Sequence, residues 1–264
     1  MTNSAQLLSV KNLSKNFGGL KALEDVSFDV KAGEIVGIMG ANGAGKTTLF
    51  ACIAGHEAPS AGEIIFEGTS LAGLRPDQVC HRGVGRTFQI VKPFNGMSVL
   101  ENVALAARFG TDRLATAPAE ARARALLDEL DMAGLATQMA GALTLAGKKR
   151  LELARAVATG AKLVMLDEVM AGLNPSEVAQ MLAAVRQLHK SRGLTVLVIE
   201  HVMRALMDLS DRIVVLHHGR LIAQGTPQEV GENSAVQSAY FGEVAEVDAG
   251  PEGSVLADGV EAQS

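Results

Sequence analysis

Alternating apolar and polar residues mark the first part of the chain. Runs such as residues 26–30 alternate strictly, and Gly18-Gly19 interrupts them with a turn signal. Alternation with a period of two, broken by turn residues, predicts an antiparallel β layer. Residues 35–39 are continuously apolar and a helical pattern follows over residues 48–54. We therefore expect a strand, a loop and a helix in that order.

Residues 76–160 differ in character from the segments around them. Ala, Leu and Arg dominate there, and apolar residues recur with helical spacing at 118–130 and 148–158. This periodicity predicts a mostly helical subdomain inserted into an α/β core.

Two apolar strands resume the core after this subdomain, at residues 162–166 and 194–199. Between them Pro175 stands in the first turn of a predicted helix that runs to about residue 191, a position that suits proline. A strand, a helix and a strand imply a parallel sheet whose loops meet at one edge. Residues 212–224 then predict a hairpin.

The composition limits the classes of protein that fit this pattern. The 264 residues are 48% hydrophobic, enough for a proper interior, and the apolar runs are far shorter than a bilayer span. Cys52 and Cys80 form no disulfide or metal-binding pattern, and residues 1–9 lack the features of a signal peptide. We therefore expect a cytoplasmic protein. A formal net charge of −5 argues against a broad nucleic-acid surface.

The loop after residues 35–39 has the chemistry of a phosphate site. Gly40, Gly45, Lys46 and Thr47 fit the G-x-x-x-x-G-K-[ST] spacing between a strand and a helix. Glycines let backbone N–H groups turn inward at a phosphate, Lys46 reaches the β- and γ-phosphates, and the Thr47 hydroxyl is a ligand for Mg²⁺. A plain strand-to-helix turn would need neither the lysine nor the hydroxyl.

A pair of carboxylates follows the strand at 162–166. Asp167 is suited to hold Mg²⁺ through its water shell, and Glu168 to orient and deprotonate the water that attacks the γ-phosphate. Alone, such a pair is more often a solvated strand end. Together with Lys46 and Thr47 it predicts a site that hydrolyses a nucleotide.

Several further segments share the order and spacing of one protein family. They are Arg86-Thr87-Phe88-Gln89, Leu151-Glu152-Leu153-Ala154-Arg155, Ala171-Gly172-Leu173-Asn174-Pro175 and Ile199-Glu200-His201. With the phosphate loop and the acidic pair they resemble the nucleotide-binding subunit of an ABC transporter, over roughly residues 7–242. Residues 83–89, the Ala-Gly-Leu-Asn-Pro stretch and residues 239–243 further resemble the ATPases of branched-chain amino-acid importers.

The resemblance implies an α/β fold with a P-loop NTPase core, built on a RecA-like parallel sheet, an antiparallel β layer and an inserted helical subdomain. Residues 1–75 would hold the β layer and the phosphate-loop part of the core, and residues 76–160 the helical subdomain. Residues 161–244 would complete the core, and the acidic residues 245–264 are expected to be a disordered tail.

The resemblance also assigns roles to matching positions, with ATP and Mg²⁺ as the implied cofactors. Glu168, His201 and Gln89 would be catalytic, and Thr47, Gln89 and Asp167 would bind the metal ion. The nucleotide contacts would be Phe17, stacked on the adenine, with Gly40, Asn42, Gly43, Ala44, Gly45, Lys46, Thr47 and Thr48, and, across a subunit interface, Thr144 and Ala146.

Three features depart from the family's pattern. Ala41 and Val169 stand where prolines are common, without loss of a donor or a ligand. The signature loop, usually Leu-Ser-Gly-Gly-Gln, reads Leu-Thr-Leu-Ala-Gly over residues 143–147, and we expect the Ala146 methyl to lengthen a contact to the γ-phosphate. We interpret the cations at 148–150, which begin the next helix, as a solvated face.

The function that the resemblance predicts is that of a motor subunit, which couples ATP binding and hydrolysis to import of branched-chain or related amino acids. The implied partners are membrane permease subunits and a second ABC ATPase subunit, in a heterodimer or a homodimer, at the inner face of the cell membrane. An ATPase of lipopolysaccharide export is the alternative. A soluble ABC ATPase acting on ribosomes or DNA fits less well with one phosphate loop and no sustained heptad run, and we expect no nucleic-acid partner.

Overall fold

Two sheets organise the computed structural model, which describes residues 6–239. The predicted closing segment at 239–243 therefore lies almost wholly outside the described residues, and the predicted tail from 245 lies outside them entirely. No helix in the described part is long and apolar enough to cross a membrane. The strands are β1 Gln6–Phe17, β2 Leu20–Lys31, β3 Ile35–Met39, β4 Ala61–Phe66, β5 Thr69–Ser70, β6 Val84–Arg86, β7 Leu163–Asp167, β8 Thr195–Ile199, β9 Arg212–His217 and β10 Arg220–Gly225.

The helices lie between these strands. They are α1 Lys46–Ile53, α2 Pro76–His81, α3 Val99–Arg108, α4 Thr116–Glu129, α5 Leu145–Ala158, α6 Pro175–Arg192, α7 Met203–Leu209 and α8 Pro227–Glu232, with 3₁₀ turns at Ala133–Leu135 and Ala140–Ala142.

The first sheet is the predicted antiparallel layer, in the order β2-β1-β4-β5. Along β2 the side chains of Leu23, Val26, Phe28 and Val30 are buried while their neighbours are exposed or half-buried. This alternation places one face of the layer on the protein interior, and the period-two prediction for this part of the chain is confirmed.

The second sheet has the order β10-β9-β3-β8-β7-β6, and its strands from β9 to β6 are parallel. The β9–β10 pair is the predicted hairpin at 212–224. All of β3 is buried, and its side chains alternate between two apolar clusters, with Ile35 and Met39 in one and Val36 and Ile38 in the other. At Gly37 an added Cβ would lie 2.5 Å from the Ser210 hydroxyl oxygen, so the sheet packs on α7 without room for a side chain.

Helices α3, α4 and α5 pack against one another and share the cluster that contains Ile35. Local caps set where helices begin. Ser98 accepts from the Glu101 backbone N–H before α3, and Asn174 accepts from the Glu177 backbone N–H before α6. These caps agree with the helical periodicity of the sequence.

The start of the predicted helical subdomain needs a correction. Strand β6 lies within residues 76–160, yet Val84 pairs with Leu163 in the parallel sheet. A strand of three residues that contains Gly85 is too short to display a period of its own. The prediction for 76–160 was therefore too wide at its beginning, because the core sheet continues to Arg86.

Candidate nucleotide-binding site

Loops from the carboxyl ends of β3, β7 and β8 meet at one edge of the parallel sheet, because parallel strands all end there. They border an open cavity of about 440 Å³. The sequence predicted most of its lining. The predicted residues in the cavity wall are Phe17, Asn42, Gly43, Ala44, Gly45, Lys46, Thr47, Thr48, Gln89, Glu168 and His201.

The phosphate loop is held by its own lysine. The Lys46 ammonium donates to the Gly40 carbonyl at 2.7 Å and to the Ala41 carbonyl at 3.0 Å. Burial lowers the pKa of Lys46 from its ordinary value, against the opposing charges of Glu168 and Asp167. An ammonium has three donors, so one remains for a phosphate oxygen.

Glycine is required at two points of this loop. Gly45 has a φ of 101°, and an added Cβ there would lie 2.6 Å from the Ala22 carbonyl oxygen. Gly40 lies beneath the cavity, where a Cβ would approach the Leu216 carbonyl oxygen to 2.6 Å. Gly45 is the N-cap of α1, which starts at Lys46, and the first three residues of this helix line the cavity, so the helix N-terminus faces it.

Glu168 is the centre of the polar contacts in the cavity. Its Oε2 accepts from the Gln89 side-chain amide at 2.7 Å, and its Oε1 lies 2.6 Å from Nε2 of His201. The Glu168 residue is buried, and its backbone has a φ of 51° in the left-handed region. Gln89 and His201, both predicted as site residues, thus hold the two carboxylate oxygens of Glu168 in place.

Asp167 is more deeply buried than Glu168 and has a partner that the sequence reasoning missed. The Arg86 guanidinium donates to its Oδ2 at 2.8 Å, and the Asp167 backbone N–H donates to the Thr87 hydroxyl. The three predicted metal ligands, Thr47, Gln89 and Asp167, offer a hydroxyl, an amide oxygen and a carboxylate. Oxygen donors of this kind fit Mg²⁺.

The interpretation of residues 148–150 as a solvated face is wrong for Lys149, which is 4% exposed. Its ammonium donates to the backbone carbonyl of Glu168 at 2.7 Å. Burial lowers the pKa of Lys149, while the charges of Glu200 and Glu168 oppose that shift.

Glu200 lies beside this group and is also buried. Burial raises the pKa of the Glu200 carboxyl to about 7, against the Met170 backbone N–H and the Lys149 charge. That N–H donates to Oε1 of Glu200 at 2.8 Å, whereas Oε2 has no hydrogen-bond partner in the described structure.

The altered signature loop, residues 143–147, is not part of the cavity wall. Thr144 is exposed and caps α5 by accepting from the Gly147 backbone N–H at 3.1 Å. The Ala146 residue is only 9% exposed, so its methyl points inward, and Leu145 at 45% exposure forms the surface instead. This placement argues against the expected role of the methyl in a phosphate contact.

Phe17 stands at the rim of the cavity with 44% of its surface exposed. The Lys15 ammonium lies 4.7 Å from the centre of its ring. Leu20, Lys21 and Ala22 line the same rim and were not predicted, because a residue after a Gly-Gly turn carries no distinctive pattern. An exposed ring beside the phosphate loop is well placed to stack on a base.

Comparison with protein families and curated proteins gives matches over most of the chain. A family model described as ABC transporter matches residues 23–171, and one described as Branched-chain amino acid ATP-binding cassette transporter matches residues 220–246. The high-affinity branched-chain amino acid transport ATP-binding proteins BraF of Pseudomonas aeruginosa and LivG of Escherichia coli are each 38% identical, over 91% of this chain and 99% of theirs. The lipopolysaccharide export system ATP-binding protein LptB of Escherichia coli is 36% identical, over 89% of this chain and 97% of its own.

Solved structures agree with these matches. A nucleotide-free ATP-binding cassette from an ABC transporter superimposes with a TM-score of 0.79 at 28% identity, covering 89% of this chain and 99% of that one. Another ABC transporter cassette, in its ADP conformation, gives a TM-score of 0.80 at 29% identity, covering 90% and 99%.

Proposed function

The chain belongs to the ABC transporter family of ATP-binding proteins, and from this premise we propose that it is the motor subunit of an importer for branched-chain or related amino acids. Its fold is that of a P-loop NTPase, and it is an ATP hydrolase. The observation that carries the proposal is the position of Glu168 between Gln89 and His201, beside the Lys46 loop. Similarity to BraF and LivG over nine-tenths of the chain supports the substrate class.

Hydrolysis follows from the chemistry of these side chains. The Lys46 loop would hold the phosphates of ATP, and Thr47, Gln89 and Asp167 would hold a Mg²⁺ ion, which would supply positive charge to neutralise the phosphates. Glu168 accepts a proton from the attacking water as the water oxygen bonds to the γ-phosphorus and the bond to ADP breaks. His201, which contacts Oε1 of Glu168 in the cavity wall, would orient the Glu168 carboxylate and contact the γ-phosphate.

A second ATPase subunit completes each site in this proposal. Thr144 and Leu145 are exposed at the start of α5 and would face the nucleotide held by the partner's phosphate loop. The partner is a different ABC ATPase or a second copy of this chain. ATP between the two subunits would draw them together, and hydrolysis would separate them, which biases a two-state transporter.

The membrane permease would dock beside Gln89, on residues 90–97. Phe94 is 47% exposed there, with the Arg155 guanidinium 5.0 Å from its ring centre. The Asn102 side chain accepts from the Phe94 backbone N–H and donates to its carbonyl, so the turn is held in shape. A rigid turn that presents an apolar ring is suited to anchor a partner. The subunit would therefore sit peripherally on the cytoplasmic face of the membrane.

Lipopolysaccharide export is the second candidate, because LptB is 36% identical to this chain. The match of residues 220–246 to the branched-chain amino-acid family model favours the importer. The direction of transport and the transported substrate distinguish the two candidates experimentally.

Isolation of the native complex with its membrane subunits tests the proposal. We expect permeases and a periplasmic amino-acid binder to co-purify, and reconstituted vesicles to take up a branched-chain amino acid when ATP is supplied. Glu168→Gln should abolish steady-state hydrolysis yet retain ATP binding, because the amide fills the same space without acting as a base. Lys46→Ala is the matched variant, and it should weaken ATP binding itself. Normal turnover of the Glu168→Gln complex would refute the assignment of the base, and co-purification with lipopolysaccharide-transport components would refute the importer.

A further inference from the structure

The buried cation Lys149, on α5, contacts the backbone of residues 168–170, which we call the catalytic loop because it contains Glu168. Lys149 projects from the second turn of α5, and its ammonium donates to the Glu168 carbonyl at 2.7 Å. The Ala171 backbone N–H donates to that same oxygen at 3.2 Å, and the Glu168 backbone N–H donates to the Ile199 carbonyl at 2.9 Å. The peptide groups on both sides of the Glu168 side chain are therefore tied to other parts of the protein.

This support acts on a strained backbone. Glu168 has a φ of 51°, a left-handed conformation that costs free energy for residues with a side chain and that they keep only where neighbouring structure holds them. If the loop relaxed to a right-handed conformation, the carboxylate would leave its contacts with Gln89 and His201. A donor to the Glu168 carbonyl is well placed to prevent that relaxation.

Glu200 supports the other end of the same loop. Glu200 directly follows β8, and its Oε1 accepts from the Met170 backbone N–H at 2.8 Å. Both Lys149 and Glu200 are 4% exposed, and each lies within the electrostatic field of the other. Two buried opposite charges thus hold residues 168–170, one at the Glu168 carbonyl and the other at the Met170 N–H.

We propose that Lys149 is a positioning residue for hydrolysis, which fixes the Glu168 carboxylate by holding the Glu168 backbone to the helix that follows the signature loop. The inference rests on the proposed role of Glu168 as the base. Thr144 caps the same helix at its start and, in the proposed function, would face the partner's nucleotide, whereas Lys149 in the second turn of that helix contacts Glu168 of this subunit. Movement of α5 on engagement of the partner would therefore reach Glu168 through Lys149.

Lys149→Met tests the role, since it removes the donor and keeps a chain of similar length in the buried site. In the purified complex we expect the kcat for ATP hydrolysis to fall about tenfold to a hundredfold, as a displaced catalytic group does, with the ATP dissociation constant changed by less than about twofold. Lys148→Met is the matched control, because Lys148 is half-buried on the same helix and its side chain makes no ion pair or hydrogen bond among residues 6–239. Its kcat should remain that of the wild type.

A double variant separates positioning from a general structural role. The comparison uses the slow residual hydrolysis that the Glu168→Gln complex shows in single turnovers at excess protein. If Lys149 acts through Glu168, then adding Lys149→Met should lower this residual rate no further, and the two losses will not multiply. Equal kcat values for wild type and Lys149→Met would overturn the inference, as would losses that multiply with Glu168→Gln.

A second variant is needed in case the loss of one buried charge prevents folding. Should Lys149→Met alone fail to fold, the paired variant Lys149→Met/Glu200→Gln removes both buried charges together and is measured instead. A folded paired variant with reduced kcat and normal ATP affinity supports the inference, and one with normal kcat overturns it. If the wild-type complex itself lacks ATPase activity, the proposed function fails rather than this inference.

Discussion

The ion pair between Arg86 and Asp167 gives a measurable contribution to stability. Both side chains are buried, at 12% and 3% exposure, and the guanidinium donates to Oδ2 at 2.8 Å. Arg86→Met would leave the Asp167 carboxylate without its counter-charge, and breaking a buried pair in this way costs about 3–5 kcal/mol. The Nε of Arg86 has no partner in the described residues, and removing such an unsatisfied donor returns about 1–3 kcal/mol. Subtracting the centre of the second range, about 2 kcal/mol, from that of the first, about 4 kcal/mol, gives an expected net loss of about 2 kcal/mol.

Urea unfolding of the nucleotide-free protein measures this loss. For a chain of this size the thermal midpoint should fall by roughly 4–8 °C, at about 2–4 °C per kcal/mol. Asp167→Asn removes the charge and keeps the side-chain volume, so the double variant Arg86→Met/Asp167→Asn should recover part of the loss, with a coupling energy of about 2 kcal/mol. A loss below about 1 kcal/mol, typical of exposed pairs, or strictly additive single losses would refute this reasoning.

Three further outcomes are expected. Burial raises the pKa of the Glu200 carboxyl from 4.5 to about 7, so the folded protein binds the Glu200 proton more tightly than the unfolded chain does. The free energy of unfolding should therefore fall as the pH rises between these two values, by up to about 3 kcal/mol. Glu200→Gln should remove that fall in urea titrations at pH 5 and pH 8, and an unchanged slope would contradict it. Ala146→Gly should lower stability by about 1 kcal/mol through helix propensity without raising ATPase activity, whereas faster hydrolysis would restore the sequence-based view of the methyl. Phe94→Ala should uncouple ATPase activity from uptake in vesicles at unchanged ATP affinity, and normal transport from an equally stable complex would exclude the docking surface.

Periodicity and motif spacing predicted the order of the elements, the phosphate loop and the acidic pair, and the family resemblance supplied the other predicted residues of the cavity wall. The phosphate loop was recognisable because its glycines and Lys46 all lie within residues 40–46, so their chemistry requires no tertiary information. The Arg86–Asp167 pair was not, because 81 residues separate its members and only the pairing of β6 with β7 brings them together.

The sequence analysis also missed the burial of Lys149, although the sequence contains a signal for it. Lys149 lies three residues after Ala146 and four before Leu153, and all three are buried on one face of α5. That spacing places a lysine on the inward stripe of an amphipathic helix. Three adjacent cations suggested a solvated face, but adjacent residues of a helix point in different directions. Lys148 and Arg150 are therefore half-buried, whereas Lys149 is buried.

The burial of β3 on both faces has a consequence for how the gene tolerates change. Ile35 and Met39 face one core, Val36 and Ile38 face the other, and Gly37 has no space for a Cβ. No position in this strand is therefore free to vary without altering the packing that precedes the phosphate loop. In a library of random single substitutions selected for growth on an imported amino acid, these five codons should be depleted about as strongly as those of the loop, whereas exposed positions of β2 should drift.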